Sequence, residues 1–336
     1  MASADKLPSG KWRLRFSTGV KDSKGRYIYK TFTGNTKKEV EKKAAEYQLG
    51  KHNPNSDTIG NALYKYIEMR KPVLSPSTIR GYQVIYRMLK KNYAYIFTCK
   101  CDNLSSDLLQ HFINELQRGH SSKTIANYHG LLASVMIYQN ITIPNVALPQ
   151  KEKPNIIIPT SEHIKLILKE AKGTELEIPI MLAAFGPLRR GEIYALKMDD
   201  INGNVIHVQR AAVEDSDGNI VIKPPKTVAG DRYLRFSDKV IDLINEKGYI
   251  TTLPLYQLTK QFERLVKKLG LPKYHFHSLR HYCASRLSAM NIPESEILRR
   301  GGWETAEVMK RIYRHAMEEV SVKADEKINK AFDELI

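Results

Sequence analysis

Residues 277–315 read HSLRHYCASRLSAMNIPESEILRRGGWETAEVMKRIYRH, which sets His277 three residues ahead of Arg280, Trp303 after Gly301-Gly302, and Tyr313 in Ile312-Tyr313-Arg314-His315. Attack on a phosphodiester needs a nucleophile, positive donors for the charge on the nonbridging oxygens, and an acid for the leaving 5′ oxygen. A phenol, a guanidinium and an imidazole in one stretch meet much of that need. Upstream, Arg189 in Gly186-Pro187-Leu188-Arg189-Arg190-Gly191-Glu192 and Lys226 in Pro224-Pro225-Lys226-Thr227 add a second guanidinium and an ammonium. Guanidinium forks match phosphate oxygens and stay charged at any working pH. Each fragment is ordinary by itself, and it is their joint order that points to phosphoryl transfer.

In order and context these residues resemble the tyrosine recombinases, a family that includes phage and conjugative-transposon integrases and whose pattern runs Arg, Lys, His-x-x-Arg, His or Trp, Tyr. The resemblance implies that Arg189 and Arg280 clamp the scissile phosphate and that Lys226, on a hairpin, protonates the leaving 5′ oxygen. It implies His277 as a phosphate contact or proton acceptor beside the nucleophile Tyr313. Trp303 stands where many relatives have His, and its indole N–H can only donate, so its role is auxiliary. Glu192 is expected to steady the Arg or His side chains. The family signature around the first Arg is close to Gly-Leu-Arg-x-Gly/Ser-Glu, which selects Arg189 over the adjacent Arg190, although Pro187 departs from it. A phenol with an ordinary pKa near ~10 needs cationic neighbours or a base to attack at neutral pH. The implied product is a 3′-phosphotyrosine with a free 5′ hydroxyl, which conserves the phosphodiester energy and needs no cofactor or metal for rejoining.

Bland readings compete with some of these residues. His275, His277 and His281 form His-x-His-x-x-x-His, a possible ligand set, but His277 is also the His of His277-Ser278-Leu279-Arg280, and no metal site is expected. Tyr256, Tyr274 and Tyr282 are read as packing residues, Cys99 and Cys101 as free thiols, and Cys283 as a small core residue.

Composition agrees with a polyanionic partner: the 336-residue chain carries a formal net charge of +17 and 18 Tyr. Three Cys, an odd number without CxxC, support neither a disulfide framework nor a Cys-rich zinc site and fit a reducing compartment. No apolar run approaches the roughly 18 residues that span a bilayer. The expectation is a soluble protein of the bacterial cytoplasm, associated with the nucleoid, with no membrane partner.

The chain reads as multidomain, mainly α with small β elements. At the N-terminus Trp12, Leu14 and Phe16 alternate with Arg13 and Arg15 along one strand, a second strand runs from Tyr27 through Lys30 to Phe32, and Thr36-Lys37-Lys38-Glu39 opens a Lys-rich helix to about Leu49. Residues 1–52 resemble the small three-stranded arm-binding domain of some integrases, with Arg13, Arg15 and Lys30 as DNA contacts. Residues 56–143 read as helices over Ile59 to Met69, Thr78 to Tyr93, Ser106 to Gln117 and Lys123 to Gln139. They resemble the helical core-binding domain. Helix starts at Ser75-Pro76-Ser77-Thr78 and Ser121-Ser122-Lys123-Thr124 can hold phosphates, which nominates Ser77, Thr78, Arg80, Lys123, Thr124 and Asn127. Residues 144–159 form a Pro-rich linker. Residues 160–336 form the mixed α/β catalytic domain, with strands expected over Val205 to Val213, Asn219 to Lys223 and Arg232 to Phe236, and a turn at Asp215-Ser216-Asp217-Gly218. A last helix sets Ile328, Phe332 and Leu335 on one face, for packing at home or on a neighbouring subunit.

The expected function is site-specific recombination on double-stranded DNA, at core-type and arm-type sites. A homo-tetramer would integrate and excise a prophage or conjugative transposon, with a DNA-bending or excision-directing accessory protein. Two other classes compete: a DNA-binding regulator of the same fold without cleavage, which the complete catalytic set argues against, and a tyrosine-dependent topoisomerase, which has no evident need of an arm-binding module.

Overall fold

Alternation of Trp12 and Leu14 with Arg13 and Arg15 gives the central strand of an antiparallel sheet ordered β1 (Asp5–Lys6), β2 (Trp12–Lys21), β3 (Tyr27–Gly34). The computed structural model describes residues 4–21, 26–49, 56–151, 156–225, 227–305 and 334. Lys226, Tyr313 and the C-terminal face of Ile328, Phe332 and Leu335 lie outside the described residues. The chain divides into two compact units, Met1–Glu152 and Lys153–Ile336.

In the first unit, helix α1 (Lys37–Leu49) covers one face of the sheet, where Leu14, Val40 and Ala44 are buried with Trp12 and Phe32 packed around them. Thr36 Oγ1 accepts the Glu39 N–H at 3.2 Å, and Glu39 reaches back to the Asn35 N–H at 2.9 Å, one residue earlier than a standard capping box. Arg13, Arg15 and Lys30 are exposed, and the Arg15 guanidinium lies 4.8 Å from the centre of the Tyr29 ring. The helices α2 (Ile59–Arg70), α3 (Pro76–Asn92), the short α4 (Ala94–Phe97), α5 (Ser106–Leu116) and α6 (Ser122–Tyr138) follow. Thr58, Ser105 and Ser121 each accept a backbone N–H of the first turn, so these helix starts are chemical caps. α3 begins two residues earlier than the apolar period indicates, because Pro76 has its φ preset for a first helical position and no N–H to satisfy. Their apolar faces meet in a core that includes Leu63, Leu89, Leu109, Phe112 and Leu132, each buried side chain contributing about 1.5–3 kcal/mol.

The second unit opens with α7 (Ser161–Ala171), where Thr160 Oγ1 accepts the His163 N–H, then α8 (Glu177–Phe185) and α9 (Arg190–Ala195). Short strands come next: β4 (Ile201–Asn202), β5 (Val205–Val208), β6 (Ala211–Glu214), β7 (Ile220–Lys223) and β8 (Arg232–Arg235). The single strand expected over Val205 to Val213 is two. β5 pairs with β4 and β8 in one sheet, and β6 pairs with β7 in another. The break falls where Gln209 Nε2 and Arg210 Nη2 turn to the buried carboxylate of Asp200, at 2.8 and 2.6 Å, and leave the ladder. The hairpin turn stands at Asp215–Gly218, with Gly218 at φ +87° and Asp215 Oδ1 accepting the Asp217 and Asn219 N–H groups. Helices α10 (Asp238–Lys247), α11 (Leu255–Lys268), α12 (Phe276–Ala289) and α13 (Glu294–Gly301) complete the described part. α8 and α12 are the central pair, carrying Ile180, Leu182 and Leu279 into a core shared with Phe262 of α11 and Leu234 of β8. This is a mainly helical, multidomain fold with small antiparallel sheets. Among the described residues no helix is long and apolar enough to cross a membrane.

Candidate active site

Three backbone carbonyls hold the two arginines in place. Arg280, on the first turns of α12, is 1% exposed; its Nη1 donates to the Pro187 carbonyl and its Nη2 to the Gly301 carbonyl at 2.6 Å. Arg189, the residue just ahead of α9, donates from Nη2 to the Gly302 carbonyl at 3.2 Å and from Nη1 to Glu192 Oε1 at 2.6 Å. Arg190 points elsewhere, to Thr259 Oγ1 at 2.8 Å, so of the tandem pair it is Arg189 that joins Arg280 at the Gly301-Gly302 turn. That turn requires glycines. Gly302 caps α13 at φ +62°, and a Cβ there would lie 2.7 Å from the Ala229 carbonyl; a Cβ on Gly301 would lie 1.9 Å from the Trp303 ring. Pro187, the departure from the signature, supplies an acceptor to Arg280.

Trp303 is buried against Ala284 and Ile297, with its ring 4.0 Å from the Arg280 guanidinium carbon. Its contribution in this structure is a π face under the arginine. Glu192 is 2% exposed and sits between two cations: Arg189 on one side and, on the other, Arg232 of β8, whose Nη2 donates at 2.8 Å. Burial alone would raise the Glu192 pKa; the charge and hydrogen bonds of Arg232, then Arg189, outweigh it and hold the carboxyl below its ordinary value. The motif reading missed Arg232. A signal was available, since period-two alternation puts Arg232 on the same face as the buried Leu234 and Phe236. Arg232 also donates from Nε to the Arg300 carbonyl at 2.8 Å and from Nη1 to the Gly230 carbonyl at 3.0 Å. It thus ties Glu192 to the end of α13 and to the segment that follows position 226.

His277 has its residue surface open on one side, while its ring meets that of His281 edge to face, centroids 4.7 Å apart. Crowding of the ring, then the nearby His281, Arg280 and Arg189, push its pKa down to about 4 against the pull of Glu192. His281, whose buried Nδ1 has no partner among the described residues, is also lowered to about 4, by burial and then by Arg280. Both imidazoles are therefore neutral at pH 7, each with one nitrogen able to accept a proton. Linkage sets the sign. The unfolded chain takes up these protons near ~6.5 and the folded chain only near about 4, so stability is lost as pH falls through that window. Thermal unfolding followed from pH 7 to pH 4 should show a shallower decline for His281→Asn than for wild type. Parallel curves would remove the buried imidazole from the account. His275 diverges from this pair, with Nδ1 3.0 Å from Glu263 Oε1, and among the described residues no three His, Cys, Asp or Glu side chains are grouped as metal ligands. The competing tyrosines are engaged otherwise: Tyr274 OH lies 2.7 Å from His163 Nδ1, Tyr282 OH lies 3.3 Å from Ser161 Oγ, and Tyr256 faces solvent beside Lys260.

In the first unit, a groove of about 870 Å³ runs between α3 and α6. Ser77, Thr78, Arg80, Thr124 and Asn127 line it; Lys123, exposed on the first turn of α6, does not. Its walls also include Val84, Ile85, Met88 and Leu131, an apolar character that the Ser/Thr-rich helix starts did not announce.

Residues 159–319 match the model of the Phage integrase family. The "Tyrosine recombinase XerC-like" protein of Caldanaerobacter subterraneus subsp. tengcongensis is 27% identical over 385 aligned residues, covering 97% of this chain and 98% of that protein. Among solved structures, the Tn1549 transposon integrase in complex with transposon right end DNA is similar in fold, with a TM-score of 0.67 and 18% identity over 81% of this chain and 100% of that one. A lambda integrase tetramer bound to a Holliday junction is similar at a TM-score of 0.59 and 16% identity, over 91% and 96% of the two chains.

Proposed function

We propose that this chain is a tyrosine recombinase of the phage integrase type, which cleaves and rejoins DNA strands, and that it integrates and excises a mobile element through a covalent 3′-phosphotyrosine on Tyr313; the match of residues 159–319 to the family model and the likeness to the XerC-like protein support this reading. The observation that carries this reading is the convergence of Arg189 and Arg280 on the carbonyls of Gly302 and Gly301, with neutral His277 on the same helix as Arg280. The Tyr313 phenol attacks phosphorus, the bond to the 5′ oxygen breaks, and the 3′ phosphate is left on the tyrosine. His277 takes the phenolic proton, and Lys226 gives a proton to the leaving 5′ oxygen. Arg189 and Arg280 neutralise the nonbridging oxygens, and Glu192 holds Arg189. Rejoining runs the same steps in reverse, with the 5′ hydroxyl as nucleophile.

The domain assignment goes with this reading. Residues 1–52 engage arm-type sites through Arg13, Arg15 and Lys30. Residues 56–143 grip core-type sites through Ser77, Thr78, Arg80, Lys123, Thr124 and Asn127, 144–159 link, and 160–336 cut. Ser77, Thr78, Arg80, Thr124 and Asn127 in the lining of the α3–α6 groove support the second of these roles. A homo-tetramer on two duplexes is supported by the lambda integrase likeness, with the C-terminal helix reaching a neighbouring subunit and an accessory bending protein setting direction. The work is done in the bacterial cytoplasm, at the nucleoid. A prophage or conjugative-transposon origin is supported by the likeness to the Tn1549 and lambda enzymes.

The test is a nicked suicide duplex carrying the element's joined ends. Full-length protein should give an SDS-resistant adduct, and proteolysis with mass spectrometry should find the nucleotide on the peptide containing Tyr313. An adduct on another residue would move the nucleophile, and no adduct with any end sequence would defeat the enzyme reading.

A further inference from the structure

We propose that Arg190 holds a second DNA backbone phosphate, next to the one held by Arg189 and Arg280, in a cleft whose wall the catalytic Arg189 and His277 share. The proposal rests on the recombinase reading above and adds a residue to its substrate contacts. Adjacent in sequence, Arg189 and Arg190 diverge in space, the first toward Glu192 and Gly302, the second toward Thr259 on α11. Beside them opens a cleft of about 360 Å³, lined by Arg189, Arg190, Thr259, His275 and His277 together with the apolar Leu188 and Phe276. Among the described residues its lining includes two guanidiniums and two imidazoles and no carboxylate, which suits an oxyanion rather than a base edge.

The cleft is built, not incidental. α11 anchors two of its walls from positions one turn apart: Thr259 accepts from Arg190 Nη1 at 2.8 Å, and Glu263 pairs with His275 Nδ1 at 3.0 Å. Gly191, the next residue, is pressed on β6 so closely that a Cβ would lie 2.4 Å from the Ala212 carbonyl. The backbone there cannot shift to swap the two arginines, so each keeps its own direction. Because Arg189 belongs both to the catalytic cluster and to the cleft wall, an anion in the cleft is contiguous with the scissile phosphate, and a DNA strand supplies such an anion as its neighbouring phosphate.

The experiment uses full-length protein and the duplex mapped by the adduct assay, with single neutral methylphosphonates placed in turn at the phosphates flanking the cleavage position. On unmodified DNA, Arg190→Ala should weaken binding about tenfold or more, and Arg190→Lys by less. The slope of log affinity against log salt should shrink by about one. One methylphosphonate position should weaken wild type and leave Arg190→Ala no worse, erasing the difference between them. Thr259→Val, which keeps the guanidinium and loses its anchor, should show the same position dependence with a smaller loss, and serves if Arg190→Ala does not fold. An equal loss on every modified duplex, or no loss on unmodified DNA, would overturn the proposal while wild-type cleavage leaves the recombinase reading intact. Wild type that neither binds nor cleaves any such duplex would overturn both.

Discussion

Arg280→Ala should slow adduct formation by about a thousandfold or more, while affinity for the duplex falls far less. The guanidinium is 1% exposed and spans two segments, with Nη1 on the Pro187 carbonyl, Nη2 on the Gly301 carbonyl and Trp303 against its face. One N–H on each terminal nitrogen is thereby spent on backbone, and the planar fork fixes the direction of the remaining pair. A preset donor pair needs no reorganisation as charge grows on the phosphoryl oxygens, and that is the term alanine removes. Lysine should fare little better, because an ammonium on a flexible stem cannot satisfy both carbonyls and still present a fork. Stability should move less than rate. Two carbonyls lose donors, at about 1–3 kcal/mol each, but burial and the nearby charge of Arg189 already oppose a cation here, so deletion also relieves a cost. Single-turnover cleavage and thermal melts on Arg280→Ala and Arg280→Lys separate the two effects. Near-wild-type cleavage by the lysine variant would show that the fork is dispensable.

How far such a site can be read from residues alone depends on which atoms build it. The charged and titratable side chains that meet here, Arg189, Glu192, His277 and Arg280, could be picked out by spacing, because they stand on or just ahead of α9 and α12, helices that keep their own residues on fixed faces. The acceptors that aim them were not. The carbonyls of Pro187, Gly301 and Gly302 have no residue-type signature, and Pro187 looked like a blemish in the motif for that reason. Arg232 was hidden differently. An arginine on a strand reads as surface, and only its two-residue offset from Leu234 shows that it faces inward. Helix starts read from Thr36, Ser121 and Thr160 coincide with caps because capping is a contact over three residues. The run from Val205 to Val213 misled because Asp200, the acceptor that splits it, lies outside the window in which alternation is judged.

Glu192→Ala should destabilise the protein by about 3–5 kcal/mol and suppress cleavage as well, through a different cause for each loss. Arg232 and Glu192 have only 3% of their side-chain surfaces exposed, so removing the carboxylate leaves a desolvated guanidinium without its counter-charge. Arg189 simultaneously loses its 2.6 Å partner and, among the described residues, keeps the Gly302 carbonyl. Acid should imitate the variant. The folded carboxyl lies below its unfolded value of ~4.3, so its contribution is complete above that value and is lost as pH falls through the lower folded one. Replacing both partners tells the two losses apart. In Glu192→Met with Arg232→Met no buried charge is orphaned between them, and apolar side chains of similar length can fill the space, so much of the stability should return. Cleavage should not return, because Arg189 still lacks the anion that aims it. A double variant that regained both would reduce Glu192 to a structural counter-ion; one that regained only the fold would make it the residue that points Arg189 at the phosphate.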